Sequence, residues 1–184
     1  DARNSLLQAG ESMLLSAEEL EGALESGTPN CYHDPFLAHN IKRYMSFIKE
    51  LYDCGVIGFS NNVKCVNGMF FVTKKNGLLR LILDARRANA FFRRPPSGNN
   101  SSSASLGNIR VSRGNSLYVS QYDVKDFFYR LGVPWSIAQY FGLPSLPTEL
   151  VVATLGSGVL ASPASTHVFP YFKVLPMGFS WAFY

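Results

Sequence analysis

A chain of 184 residues, 47% hydrophobic and 14% aromatic, has material for a sizeable core and falls outside the disordered class. Its formal charge of +4 is modest, so an electrostatic function has to come from local clustering. Cys31, Cys54 and Cys65 are odd in number and follow no CxxC spacing, which argues against a disulfide framework and for reduced thiols in an intracellular protein, cytoplasmic or nuclear.

Along the chain, Ser16-Ala17-Glu18-Glu19 is a capping box that opens a short helix finishing near Gly27. Residues 1–40 otherwise carry no readable motif. Cys31, His33 and His39 fit no common zinc module, and Asn30 to Pro35 reads as a turn or loop. Ile41, Tyr44, Met45, Ile48, Leu51 and Tyr52 share one helical face, and Gly55 is a natural stop. Met69–Thr73 and Leu78–Leu83 are β-prone runs joined by Lys74-Lys75-Asn76-Gly77, a strong hairpin signal. Pro95–Ser105 is a low-complexity linker expected to be exposed. Leu117–Asp123 is expected to be a strand, and Phe141–Ala164 an unpatterned surface connection. Its longest weakly polar stretch, Val151–Ala164, is too short and too rich in Gly, Ser and Pro to span a bilayer, and no signal peptide pattern opens the chain, so no membrane partner is expected. Val168–Val174 is a further strand, Pro176-Met177-Gly178 a turn, and Ser180 a candidate helix cap. This order suggests an α+β fold.

Chemistry concentrates in three blocks. From Lys74 to Arg94 there are seven basic residues against one acid, Asp84, an excess that would draw phosphate. Lys74 and Lys75 on a β-turn, followed by Arg80 on the returning strand, make a cationic clamp, although a hairpin decorated for solubility has the same spacing. Asp123, at the end of a β-prone run, suits gripping a divalent metal, and Asp126, Phe127 and Phe128 follow at once. Read without context, Phe127 and Phe128 are equally core aromatics, and LPMGF at 175–179 is a hydrophobic turn.

Together the blocks GMFFVTKKNGLLRLILDARRANA, DVKDFF and LPMGFS resemble the fingers and palm of a retroelement reverse transcriptase. The resemblance implies a partial right-hand polymerase, with residues 41–116 fingers-like and 117–184 an incomplete palm. It implies that Lys74, Lys75 and Arg80 meet the incoming triphosphate, and that Asp84, Arg86 and Asn89 form a box organising the fingers and the template path. Asn76 replaces the usual turn acid. Asp123 and the Val124 carbonyl would hold Mg²⁺, two ions in a complete enzyme. Asp126 and Phe127 would offer backbone N–H groups to the triphosphate, Phe128 would exclude a 2′-hydroxyl, and Met177 and Gly178 would lie against nucleotide and template base.

The reaction implied is template-directed addition of deoxynucleotides to a primer, with an RNA or DNA template–primer and deoxynucleoside triphosphates as partners. The family's remaining metal-binding acids form a paired-aspartate hairpin, and no Asp-Asp pair occurs in this sequence. The chain is therefore expected to be inactive as it stands, a piece of a longer polymerase. A non-catalytic nucleic-acid-binding fragment and a decayed relic are the alternatives. Nothing in the sequence sets an oligomeric state.

Overall fold

The structure is a computed structural model that describes residues 12–25, 27–96, 104, 107–160 and 165–182. Its first helix, α1 (Ala17–Glu25), is capped as the sequence requires. The Ser16 hydroxyl accepts the Glu19 N–H at 3.2 Å, and the Glu19 carboxylate accepts the Ser16 N–H at 2.7 Å. The segment before it lies along the chain that follows the hairpin. Leu15 N–H donates to the Phe91 carbonyl at 3.0 Å, Arg93 N–H to Met13 at 2.8 Å, and Arg93 pairs with Glu19 at 2.9 Å.

A short helix, α2 (Pro35–Ala38), is capped by Asp34, and α3 (Ile41–Asp53) by Asn40. Helix α3 buries Tyr44, Met45 and Ile48, with Leu51 and Tyr52 half-buried. Ile41, expected on the same face, is 48% exposed. Helical side chains lean toward the N-terminus, so a residue at the first helical position projects past the packed turn.

Strands β1 (Ile57–Ser60), β4 (Leu146–Pro147) and β5 (His167–Phe172) form an antiparallel sheet in the order β1-β5-β4. Strands β2 (Gly68–Thr73) and β3 (Leu79–Asp84) form a separate hairpin, from Gly68 opposite Asp84 to Thr73 opposite Leu79. The hairpin is buried at its root, at Met69 and Leu83, and exposed at its tip. The small helix α4 (Arg86–Asn89) follows directly. Buried Asn67 joins these parts: its amide donates to the Tyr140 and Gly142 carbonyls at 2.8 and 3.1 Å, and its oxygen accepts the Ala88 N–H at 3.2 Å. With its donors and acceptor satisfied, its burial is tolerated.

Two expectations fail. The stretch 141–164 is not a surface connection, since Phe141, Leu143, Leu146 and Val151 are fully buried and Thr148–Leu155 form helix α6. Helix α5 (Trp135–Ala138) precedes it. These apolar residues show no single period because they enter the core from a turn, a two-residue strand and a helix in succession. Residues 161–164 lie outside the described residues.

Leu117–Asp123 is likewise not a strand: it has no regular structure, and Tyr118 and Tyr122 are each 91% exposed. A β-prone run becomes a strand only where a ladder partner and a buried face exist. Leu117–Asp123 has neither: no described strand pairs with it, and every one of its residues is exposed.

The chain rejoins the sheet at residues 131–133: Leu175 N–H donates to Leu131 at 2.8 Å and Val133 N–H to Lys173 at 3.0 Å. Of the linker expected over Pro95–Ser105, residues 97–103 and Ser105 lie outside the described residues, as do the two residues after the turn at Ser180–Ala182. The architecture is α+β with small antiparallel sheets. All three cysteines are free, and no helix among the described residues is long and apolar enough to cross a membrane.

The helical face gives a direct test. Ile48→Ala should destabilise the fold by about 2–5 kcal/mol, while Ile41→Ala should cost about 0.5 kcal/mol or less, in urea unfolding curves.

Candidate nucleic-acid and nucleotide interface

The hairpin tip is shaped by its own sequence. Lys74 N–H donates to Leu78 at 2.7 Å, Gly77 N–H returns to Lys74 at 3.0 Å, and Gly77 adopts φ +78°. The Asn76 side chain accepts the Leu78 N–H at 3.2 Å, the task an aspartate would perform at that corner, which accounts for the tolerated exchange. Lys75 and Arg80 are exposed and Lys74 is half-buried. Among the described residues none of the three forms an ion pair, so their charge is available to an anion.

At the hairpin root the Asp84–Arg86–Asn89 box performs structural work. Asp84 is 6% exposed. Its carboxylate accepts Arg86 Nε–H and Nη2–H at 2.8 and 2.6 Å and the Tyr32 N–H at 2.6 Å. The Arg86 guanidinium, together with the Tyr32 and Arg86 backbone N–H groups, holds the carboxyl below its ordinary range against the opposing effect of burial. Asn89 reaches the turn that the third block forms: its amide donates to the Gly178 carbonyl at 3.1 Å, and its oxygen accepts the Ser180 N–H at 3.0 Å. Leu83 N–H donates to Met177 at 2.9 Å. Gly178 sits at φ +119°, and a Cβ there would overlap the Leu83 carbonyl oxygen. Two blocks far apart in sequence are thereby joined.

The middle block is brought in by its aromatic end. Asp126 is left-handed, at φ +55°, and heads a short 3₁₀ turn, Phe127–Arg130. Phe127 is 47% exposed and Phe128 half-buried, their rings edge-on at 5.7 Å. Tyr129, which the motif reading passed over, donates its hydroxyl to the Leu81 carbonyl of β3 at 3.2 Å. Burial first, and then the Asp126 carboxylate, push its phenol above the ordinary tyrosine range, while Arg80 opposes them. Asp126 and Arg80 therefore lie within electrostatic reach of one hydroxyl. A tyrosine directly after two phenylalanines was the available signal, since a buried phenol needs a partner.

Asp123 and Val124 are not joined to this arrangement. Both lie in exposed, irregular backbone. No group of three or more His, Cys, Asp or Glu side chains suited to a metal ion occurs among the described residues. Magnesium needs several oxygen ligands in octahedral order, so these residues do not fit a two-ion site. Cys31 and His33 also have structural partners: the Cys31 thiol donates to the Asp84 carbonyl at 3.3 Å, and His33 Nδ1 accepts the Met69 N–H at 3.3 Å.

The box gives a pH prediction. A carboxyl whose folded pKa lies below its unfolded value contributes stability above the unfolded value of about 3.9, lost as pH falls toward the folded one. Asp84→Asn should cost about 1–2 kcal/mol at pH 7. The gap from the unmodified chain should narrow below about pH 4 in pH-dependent melts. Gly178→Ala should cost about 3 kcal/mol or more in the same assay, through backbone strain and overlap.

No protein-family model matches the sequence, and no curated protein matches it. Among solved structures the chain is similar to the foamy viral protease-reverse transcriptase, determined in complex with double-stranded DNA. The TM-score is 0.51 at 15% identity, covering 98% of this chain and 33% of that one. This chain thus spans about one third of that protein's length, and the likeness is one of fold, a reverse-transcriptase-like arrangement.

Proposed function

We propose that the chain is the fingers and leading palm portion of a retroelement reverse transcriptase, and that its own task is to grip template–primer and nucleotide phosphates. The observation that carries this reading is the union of the basic hairpin with the 176–178 turn through Leu83, Asn89 and the Met177 carbonyl. It anchors, beside that turn, the root of the hairpin that carries Lys74, Lys75 and Arg80, none of them ion-paired among the described residues. Lys74 and Lys75 act as point charges, and Arg80 grips two phosphate oxygens at once. Asp126 and Phe127 offer backbone N–H groups beside that clamp, Met177 packs on the nucleotide, and Phe128 disfavours a 2′-hydroxyl. Template-directed extension of a primer by deoxynucleotides, with Mg²⁺, is the reaction of the whole polymerase. No step of it is assigned to Asp123, because the described residues do not assemble the ion site.

The exposed basic hairpin equally supports, as a second reading, a nucleic-acid-binding unit without chemistry. The readings separate by experiment. Binding of a primer–template duplex should weaken linearly in log salt concentration, and the Lys74→Ala, Lys75→Ala, Arg80→Ala triple variant should lower that slope by about 2–3. An unchanged slope would remove the hairpin from the interface. If the polymerase reading holds, deoxynucleoside triphosphates should bind the chain with an affinity that falls in the same triple variant. Duplex binding that weakens in the triple variant while deoxynucleotide affinity does not would favour the second reading.

A further inference from the structure

A cleft of about 400 Å³ lies between the loop after β1 and helix α5, and it shares no residue with the hairpin, the box or the 176–178 turn. Its lining includes Ser60, Asn61, Asn62, Lys64, Trp135 and Gln139: three carboxamides, a hydroxyl, one cation and an indole, with no carboxylate among the described lining residues. Its volume falls in the small-ligand range, and Phe59, Val63, Trp135 and Leu160 supply apolar surface beside the polar groups.

The walls are fixed before any ligand arrives. Lys64 N–H donates to the Gln139 carbonyl at 2.8 Å, and Asn67 N–H to Gly142 at 2.8 Å, which ties the loop to α5 and the turn after it. Within the loop the Ser60 hydroxyl donates to the Asn62 carbonyl at 2.7 Å and accepts the Asn62 N–H at 3.2 Å. The Gln139 amide donates to the Ser136 carbonyl at 2.9 Å, which orients its oxygen end. Trp135 is held edge-on by Tyr171, ring centroids 4.9 Å apart, yet remains 47% exposed. Tyr171 in turn lies across Gly58, where a Cβ would come within 2.9 Å of its ring. The glycine on β1 therefore sets the pose of the tyrosine, and the tyrosine that of the tryptophan.

A half-exposed, braced indole is a stacking surface for a flat heterocycle. Carboxamides recognise the mixed donor and acceptor edge of such a ring, and a lysine with no acid beside it among the described lining residues selects an anionic substituent. We propose that this cleft binds a nucleotide, with its base stacked on Trp135, its edge met by the carboxamides and its phosphate by Lys64. It is a second nucleotide-recognising site, separate from the hairpin clamp. A free nucleotide and one unit of a single strand present the same chemistry.

The test is a titration of the full chain with adenosine 5′-monophosphate, adenosine and a single-stranded oligodeoxynucleotide, followed by tryptophan fluorescence. Saturable quenching should appear at concentrations up to about ten millimolar. It should be lost in Trp135→Leu, where the emission of Trp181 reports that the chain is folded. Lys64→Gln, a surface change that leaves the fold intact, should weaken the monophosphate about tenfold while sparing adenosine. The triple hairpin variant should leave the quenching unchanged. Saturation by the monophosphate marks a free-nucleotide site, and saturation by the oligodeoxynucleotide alone marks one unit of a strand. Absent quenching, equal effects of Lys64→Gln on both small probes, or loss of quenching in the hairpin variant would each overturn the proposal.

Discussion

The arrangement of this protein depends on one close approach, the backbone of Gly178 against the backbone of Leu83. The glycine has no Cβ to hold the turn off β3, and its positive φ turns the chain so that the Met177 carbonyl faces the Leu83 N–H. Asn89 closes the contact from the side with both ends of its amide. Since β2 and β3 form a sheet of their own, this contact anchors the hairpin root to the chain that leads out of β5. Tyr129 adds a second tether between β3 and the 3₁₀ turn.

That anchoring decides where charge is available. Asp84 is the one acid between Lys74 and Arg94, and Arg86 occupies its carboxylate at the buried root. Arg87 Nε–H donates to the Pro29 carbonyl, and Arg93 pairs with Glu19. The basic run is thus divided. Its inner members staple the N-terminal segment and the box, and its outer members, Lys75 and Arg80 above all, face solvent. A count of basic residues overstates the charge offered to a phosphate, and the ion pairs correct it.

Sequence legibility followed locality. The capping box at Ser16, the face of α3, the hairpin and the 176–178 turn each rest on residues within a few positions of one another, and each is present in the structure. What was not legible depends on partners remote in sequence. Leu117–Asp123 has strand composition but no ladder neighbour, while the Gly- and Pro-rich chain after Phe141 carries much of the core. The box residues were identified as a motif, yet their contact with the turn at Gly178 could not be read from spacing. Asn67 and Tyr129 escaped notice because a single polar group acquires meaning only from the elements it bridges.

The coupling of hairpin to turn makes both ends of the contact parts of one surface, and a ligand that engages one should register at the other. The most direct test is amide hydrogen exchange of the full chain with and without a primer–template duplex. The account predicts slowed exchange at residues 74–80 and again at Met177 and Gly178, with residues 17–25 unaffected. Protection absent from both segments, or confined to regions away from them, would contradict it.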